Sequence, residues 1–262
     1  MTSTVRDAEA PLDLVRDHVN DRPVQAEPVW VAIADLHGHP DHLDALLERL
    51  DAAHAEHLSV VLLGDYVDNG PDIPRLLDRL IALRDERPGR FVPILGNHDL
   101  ACLRALGFPG QRADPTWYRR WSTRYSDPGG GTATAYGAHD ADSFKALMPT
   151  RHQAFLRSLP WCLYAAGAVF VHAGLRPGPQ LPQLRDKTLA GVSDPDWDRV
   201  VVSAHTKNPA ARTGITDHRP HIVTDRRICL SGEIDRTGNL YAIELPTRRI
   251  WRVDPSLRVT GS

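Results

Sequence analysis

Apolar and polar positions alternate along this chain in blocks that predict an α/β domain. Val29-Trp30-Val31-Ala32-Ile33-Ala34 is a short apolar run ending at Asp35, and a run bounded in this way predicts a buried strand. Beyond His39-Pro40-Asp41 the period changes. Leu43, Leu46, Leu47 and Leu50 fall at i, i+3, i+4 and i+7, one apolar stripe of a helix. Ser59-Val60-Val61-Leu62-Leu63 predicts a second strand, closed by Gly64-Asp65. Ile73, Leu76, Leu77, Leu80 and Ile81 predict the next helix, and Phe91 to Leu95 a third strand ended by Gly96. Strands apolar on both faces, in the order β-α-β-α-β, imply a sheet covered on both sides.

From Asp99 to about Leu159 the pattern is mostly helical, broken by Pro109, Pro115 and Gly129-Gly130-Gly131, and predicts a helical cap over the region 99–160. Strand signals return at Trp161 to Ala165 and Ala168 to Val171, a hairpin turning at Ala166-Gly167. More follow at Val200 to Ala204, Ile222-Val223, Ile228 to Leu230, Leu240 to Leu245 and Ile250 to Val253. Short strands with no long helices between them predict a second, largely antiparallel sheet, stacked on the first as a sandwich. Residues 1–28 are polar and Pro-punctuated, and are expected to form an N-terminal arm with one short helix around Leu12 to Val19. A single domain is expected over 29–253, with a C-terminal tail at 254–262.

Composition narrows the function classes. The 262 residues are 42 % hydrophobic and 24 % charged, enough for a full core and too apolar for disorder. A net charge of −2 supplies no general basic field, which argues against stable nucleic-acid or acidic-membrane binding. No apolar run approaches the roughly 18–20 residues that span a bilayer. The first residues carry Asp, Glu, Arg and Pro where a signal peptide needs an apolar stretch, and Cys102, Cys162 and Cys229 are odd in number and dispersed. Both features favour a reducing cytoplasm and no disulfide framework. The 13 His are the unusual entry. They are either surface and core-edge imidazoles or metal ligands, and only their positions decide.

Those positions are telling. In open α/β sheets the ligand site lies at the carboxyl ends of the strands. The first three strands end in Asp35-Leu36-His37-Gly38-His39, Gly64-Asp65-Tyr66-Val67-Asp68-Asn69-Gly70 and Gly96-Asn97-His98-Asp99. Two later ones end in His172-Ala173-Gly174 and His205-Thr206. Any one of these turns could be held by its own Asx side chain. Taken together they bring Asp, Asn and His to one edge with no thiolate among them, which outlines a dinuclear divalent-metal site.

These strings resemble the signature of the metallophosphoesterases, and within them the bacterial phosphoprotein (serine/threonine) phosphatases. The segments Gly129 to Gly137 and Phe170 to Gly178 are similar to the bacterial members, and the match runs in order over roughly 29–253. The resemblance implies a calcineurin-like sandwich and hydrolysis of a phosphate ester. Asp35 and His37 would hold one metal, Asp65 would bridge two, and Asn97, His172 and His205 would complete the second. Two divalent ions, Mn²⁺ first with Fe, Zn and Mg tolerated by the same donors, leave a positive site against two carboxylates. The implied mechanism is in-line attack by a hydroxide between the metals, with His98 protonating the leaving group and Asp68 holding its ring. Asp99 is read as a cap of the following helix rather than a catalytic group.

Several positions depart from the family pattern. Ala34 stands where the family has Gly, Asn69 where it has the Arg that clamps phosphate, and Leu95 where eukaryotic members carry another Arg. Ser203-Ala204-His205-Thr206 keeps the ligand in an altered turn. Loss of a bidentate clamp removes transition-state stabilisation unless it is replaced. Arg176, Arg185 and Lys207 are the candidate replacements, though each taken singly reads more readily as a solvated surface charge. His39 is a candidate neighbour of the substrate, or a helix cap. Trp117-Tyr118-Arg119-Arg120-Trp121 could stack on a nucleobase and set substrate choice, or form a half-buried helix face. The expected partner is a phosphoprotein, a small phosphate ester or a nucleotide. Phosphomonoester hydrolysis is the leading reading and dinucleoside polyphosphate hydrolysis the alternative, ahead of a metal-binding interaction module without turnover.

Overall fold

The computed structural model describes residues 28–107, 111–124, 131–174, 199–205, 225–230 and 233–262, with two further short strands, Val15–Asp17 and Ile222–Val223. Strand β1 (Val15–Asp17) lies where a helix was expected, pairing in parallel with β5 (Cys162–Ala165). The local sequence there is amphipathic at either period, and the open edge of β5 supplies the partner that makes it a strand.

Among the described residues, two sheets of six strands stack face to face. In the first, β2 (Val29–Ile33), β3 (Leu58–Leu62) and β4 (Phe91–Pro93) run parallel. Helices α1 (Pro40–His54) and α2 (Ile73–Glu86) connect them. Pro93 is tolerated in β4 because that strand is the sheet edge. Antiparallel β10 (Leu240–Leu245), β11 (Ile250–Val253) and β12 (Val259–Gly261) extend the opposite side from β2. The tail expected from 254 onward thus ends in an edge strand, too short for its pattern to be seen.

The second sheet has the order β1-β5-β6-β7-β9-β8 and is built from β5, β6 (Ala168–Val171), β7 (Val200–Ser203), β8 (Ile222–Val223) and β9 (Arg227–Cys229) with β1 at its edge. It is mixed, not largely antiparallel: β1/β5, β6/β7 and β7/β9 are parallel, and only β5/β6 and β8/β9 are antiparallel. Apolar runs identify buried strands without naming their neighbours, so the late strands β10 and β11 could not be assigned to the first sheet from pattern alone. The β5–β6 hairpin turns where expected, with Ala166 and Gly167 both at positive φ (51° and 70°), the primed turn that suits strand twist.

Alternation along β2 shows how the layers are divided. Trp30, Ala32 and Ala34 face the interior of the sandwich with Val61, Leu63, Phe170, Val202 and Ile228. Val31 and Ile33 face the helical layer with Val60, Leu62 and the leucines of α1 and α2. Leu43, Leu46, Leu47 and Leu50 are all buried, each contributing about 1.5–3 kcal/mol. On α2 the buried stripe ends at Leu83, while Ile81 is half-buried.

The expected cap is helical: α3 (Asn97–Leu106), α4 (Pro115–Arg124), α5 (Thr132–Ala135), α6 (Ala141–Leu147) and α7 (Thr150–Arg157). Its core is aromatic, with Trp121 and Phe144 ring centroids 5.2 Å apart and Tyr118 packed against both. A polar staple joins α7 to α2. His152 and Arg151 both meet Asp78, each at 2.7 Å, and Tyr136 meets the other ring nitrogen of His152 at 2.6 Å. A last short helix, α8 (Ile234–Thr237), precedes β10. All three cysteines are free and buried, and no helix among the described residues is long and apolar enough to cross a membrane.

Candidate metal centre and active site

The carboxyl ends of β2, β3, β4, β6 and β7 converge on one edge of the sandwich, as the strand-end strings imply. Close approach of two of these turns depends on glycine. A Cβ on Gly64 would lie 2.7 Å from the Cα and N of Gly96, and Gly64 also has φ +99°. A Cβ on Gly96 would overlap the backbone and carboxylate of Asp65. The side chains they carry are strained in a further way. His37, Asp65, Asp68, Asn69 and His205 all have positive φ, between 38° and 64°. This left-handed geometry costs L-residues of order 1–2 kcal/mol, least for Asn and Asp, and clusters at functional sites.

Asp65 is the hub. Its Oδ2 lies 3.3 Å from His172 Nε2 and 3.9 Å from both His37 Nε2 and His98 Nε2, while its Oδ1 accepts the backbone N–H of His98 at 2.8 Å. Two clusters share it: His37, Asp65 and His98 on one side, and Asp65, His172 and His205 on the other. Asn97 joins the second, its Oδ1 3.0 Å from His172 Nε2, which is also 3.2 Å from His205 Nδ1. Asp35 lies at the same edge with its Oδ1 3.8 Å from His172 Nδ1. The far nitrogens are committed to backbone. His172 Nδ1 donates to the Leu63 carbonyl at 2.6 Å and His37 Nδ1 reaches those of Val67 and Asp68, so the Nε2 atoms face the centre. This is how metal-binding imidazoles are commonly oriented.

The electrostatics are those of a buried, mutually coupled cluster of acids and imidazoles. Burial pushes the Asp35 carboxyl up to about 7, with Asp65 adding to the rise and His172 opposing it. Burial also opposes charge on Asp65, yet His172, His98 and His37 hold it well below the usual carboxylate range. Burial alone would lower His98 and His172, but Asp65 and their other acid neighbours raise each to about 9. His37 is lowered, by burial and by His98 beside it. Among the described residues the buried Asp35 Oδ1 has no hydrogen-bond partner. A buried, unsatisfied carboxylate oxygen beside a ring of inward imidazoles and an amide oxygen is a donor set for borderline divalent cations. The donors present fit divalent cations, with one difference from the motif-implied sets: His98 stands beside His37 and Asp65, and Asp35 lies outside both clusters, its Oδ1 toward Nδ1 of His172.

Beside this centre, His98 Nδ1 lies 2.9 Å from Asp68 Oδ2, and Asp68 is fully buried. Asp99 does cap α3, its Oδ2 accepting the Gly96 N–H at 2.9 Å. It does more: the same oxygen accepts from Asp65 N at 2.9 Å and Oδ1 accepts from Tyr66 N at 3.0 Å, which ties the β3 turn to the β4 turn. Burial, followed by the charge of Asp65, pushes Asp99 up to about 7 against the pull of these donors.

The other candidates separate. His39 Nδ1 donates back to the carbonyls of Leu36 and His37 instead of capping α1, and its ring meets the edge of His42. Asn69 sits half-buried in the same turn as Asp68. Arg176, Arg185 and Lys207 lie outside the described residues. In the aromatic segment, Tyr118 and Trp121 are buried, Trp117 donates to the Ala101 carbonyl and is covered by Arg104 at 3.8 Å, and Arg119 and Arg120 are exposed. This is the half-buried helix face, not a platform for a base. Two partners of Asp68 were not singled out as site residues: Trp121 Nε1 donates to its Oδ2 at 2.9 Å, and the Thr132 hydroxyl to its Oδ1. The sequence signals for Thr132 are its place directly after the Gly129-Gly130-Gly131 run and within the Gly129 to Gly137 segment that resembles the bacterial members.

The sequence model for calcineurin-like phosphoesterases matches residues 30–235, most of the chain and every one of these strand ends. The chain belongs to that family. A symmetrical bis(5'-nucleosyl)-tetraphosphatase of Paraburkholderia phymatum is 27% identical over 182 residues, 68% of this chain and 55% of that protein. A zinc-dependent endopolyphosphatase of Saccharomyces cerevisiae is 26% identical over 76 residues, 29% of this chain and 22% of that one. This phosphoesterase thus spans about half of the first relative's length and about a fifth of the second's. Among solved structures, one proposed to be a diadenosine tetraphosphatase superposes with TM-score 0.57 at 18% identity, covering 87% of this chain and 94% of its own. That likeness shows the shared fold.

Proposed function

We propose that this phosphoesterase hydrolyses phosphate monoesters with two divalent cations bound, Mn²⁺ foremost. Asp35, His37 and Asp65 would hold one cation, and Asp65, Asn97, His172 and His205 the other. Bound there, the cations would supply Lewis acidity toward phosphate oxygens and toward an attacking water. The observation that carries the reading is the Asp68–His98 pair against Asp65. Asp68 accepts from Nδ1 of the ring, so Nε2 is the atom left to face the reacting phosphate and to deliver a proton to the departing oxygen. An alkoxide leaving from a serine, threonine or sugar phosphate needs that proton. A nucleotide leaving from a polyphosphate chain is already a stable anion and needs it far less.

The match to the Paraburkholderia tetraphosphatase supports a second reading, in which a dinucleoside polyphosphate is cut between phosphates. A metal-reconstituted comparison of phosphoserine peptides, an alkyl phosphate and diadenosine tetraphosphate decides between them. Faster turnover of the monoesters is expected, and turnover of the tetraphosphate alone would refute the first reading. In the same preparation Asp65→Ala should lower metal content from near two per chain and abolish hydrolysis; an active Asp65→Ala variant would refute the shared-carboxylate assignment.

A further inference from the structure

We propose that Thr132 and Trp121, both from the helical cap, are positioning residues for the hydrolytic step, acting by locking the Asp68 carboxylate that holds His98. The proposal rests on the assignment of His98 as proton donor above. Asp68 has no exposed surface, and each of its oxygens is engaged separately. Oδ2 accepts from His98 Nδ1 and from Trp121 Nε1, both at 2.9 Å. Oδ1 accepts from the Thr132 hydroxyl and, more loosely, from the Thr132 N–H at 3.4 Å. The hydroxyl closes a ring, because its oxygen in turn accepts the backbone N–H of Asp68 at 3.0 Å.

A carboxylate bonded to one imidazole can still turn about its own Cβ–Cγ axis and swing the ring with it. Donors on both oxygens remove that freedom, and Thr132 grips the backbone of the same residue, whose φ of 64° leaves it in strained geometry. The donors themselves are rigid. Thr132 is 1 % exposed at the first turn of α5, and Trp121, 3 % exposed, is wedged against Phe144 and Tyr118. The sandwich supplies the ligands and the acid; the cap supplies the groups that aim the acid. Such support decides whether a catalytic group is within reach of its productive geometry.

The test is a leaving-group series on the full chain loaded with Mn²⁺, from p-nitrophenyl phosphate, whose leaving group needs no proton, to phenyl and alkyl phosphates. General acid catalysis contributes typically 10²–10⁴-fold, so Thr132→Val should lower kcat on alkyl phosphate roughly 10–100-fold, with KM little changed and a much smaller loss on p-nitrophenyl phosphate. Thr132→Ser should restore most of the loss, and Trp121→Phe should show the same pattern to a lesser degree. A purely structural role for Thr132 would lower all substrates alike, and that result overturns the proposal, as does no loss at all. The NMR resonance of the His98 Nδ1–H, recorded on the chain loaded with diamagnetic Zn²⁺ in place of Mn²⁺, provides a readout independent of turnover. It should broaden or move upfield in Thr132→Val and recover in Thr132→Ser, and an unchanged resonance overturns the proposal. If wild type cleaves no ester, or His98→Asn shows no leaving-group dependence, the assignment of His98 as acid fails; the resonance still decides whether Thr132 fixes the pair. Should Thr132→Val not fold, Trp121→Phe carries the same measurements.

Discussion

Asp99→Asn isolates what holds the two central turns together. The wild-type carboxylate is fully buried and accepts three backbone N–H groups, from Asp65, Tyr66 and Gly96, at 2.9 to 3.0 Å. An amide has one acceptor oxygen. If that oxygen keeps Asp65 and Gly96, the new NH₂ must face the Tyr66 N–H, donor against donor, and both are left unsatisfied in the interior. A buried donor without a partner costs about 1–3 kcal/mol, so the pair should cost about 2–4 kcal/mol once local relaxation is allowed. In a domain of this size each kcal/mol shifts the melting temperature by roughly 2–4 °C, which predicts a fall of roughly 4–16 °C. Differential scanning calorimetry on the metal-free and Mn²⁺-loaded chain measures it. Metal affinity should fall as well, because the backbone that presents Asp65 loses its brace. A variant that melts within about 2 °C of wild type and binds metal normally would refute the argument that these bonds shape the site.

Two further predictions concern the frame around the site. Gly64→Ala forces a Cβ to 2.7 Å from Gly96 at φ +99°, so the chain should lose about 3 kcal/mol or more and accumulate poorly in folded form; a soluble variant of native melting temperature would refute the close approach. Asp78 is held below its ordinary value, first by its hydrogen bond to Arg151 and then by His152, so its stabilising contribution is complete above the ordinary carboxylate range and is lost as pH falls through the lowered value. Wild type should therefore lose its advantage over Asp78→Asn on acidification, and parallel stability curves would refute the staple.

Much of the fold, and most residues of the two candidate clusters, were legible in the sequence because each rests on local information. Period-2 and period-3.6 patterns mark β2, β3, α1 and α2, and Gly-Asp or Gly-Asn at a strand end marks where backbone turns toward solvent carrying a candidate ligand. Even the β5–β6 turn is local, since Ala166-Gly167 must take up positive φ between two pairing strands. Pairing partners are not local. The amino acids of β10 and β11 say only that they are buried strands; joining β2 rather than the second sheet is decided by which edge lies open when the layers pack.

The same division runs through the site. The sequence by itself marked which residues could ligate, and for Asp35, Asp65 and Asn97 also where, because successive parallel strands of one sheet end on one edge. That His172 and His205, which follow strands of the second sheet, meet them there was decided by how the two sheets stack. The tertiary structure alone decided what those candidate ligands lean on. Asp99 could be read as a cap from its position in α3, but its bonds to Asp65 and Tyr66 join turns more than 30 residues apart. Trp121 looked like a face of α4, and becomes a donor to Asp68 only because the cap folds down over β3. Hydrogen bonds between distant turns carry no period and no spacing; they exist only where two buried polar groups are brought within 3 Å and one would otherwise go unpaired.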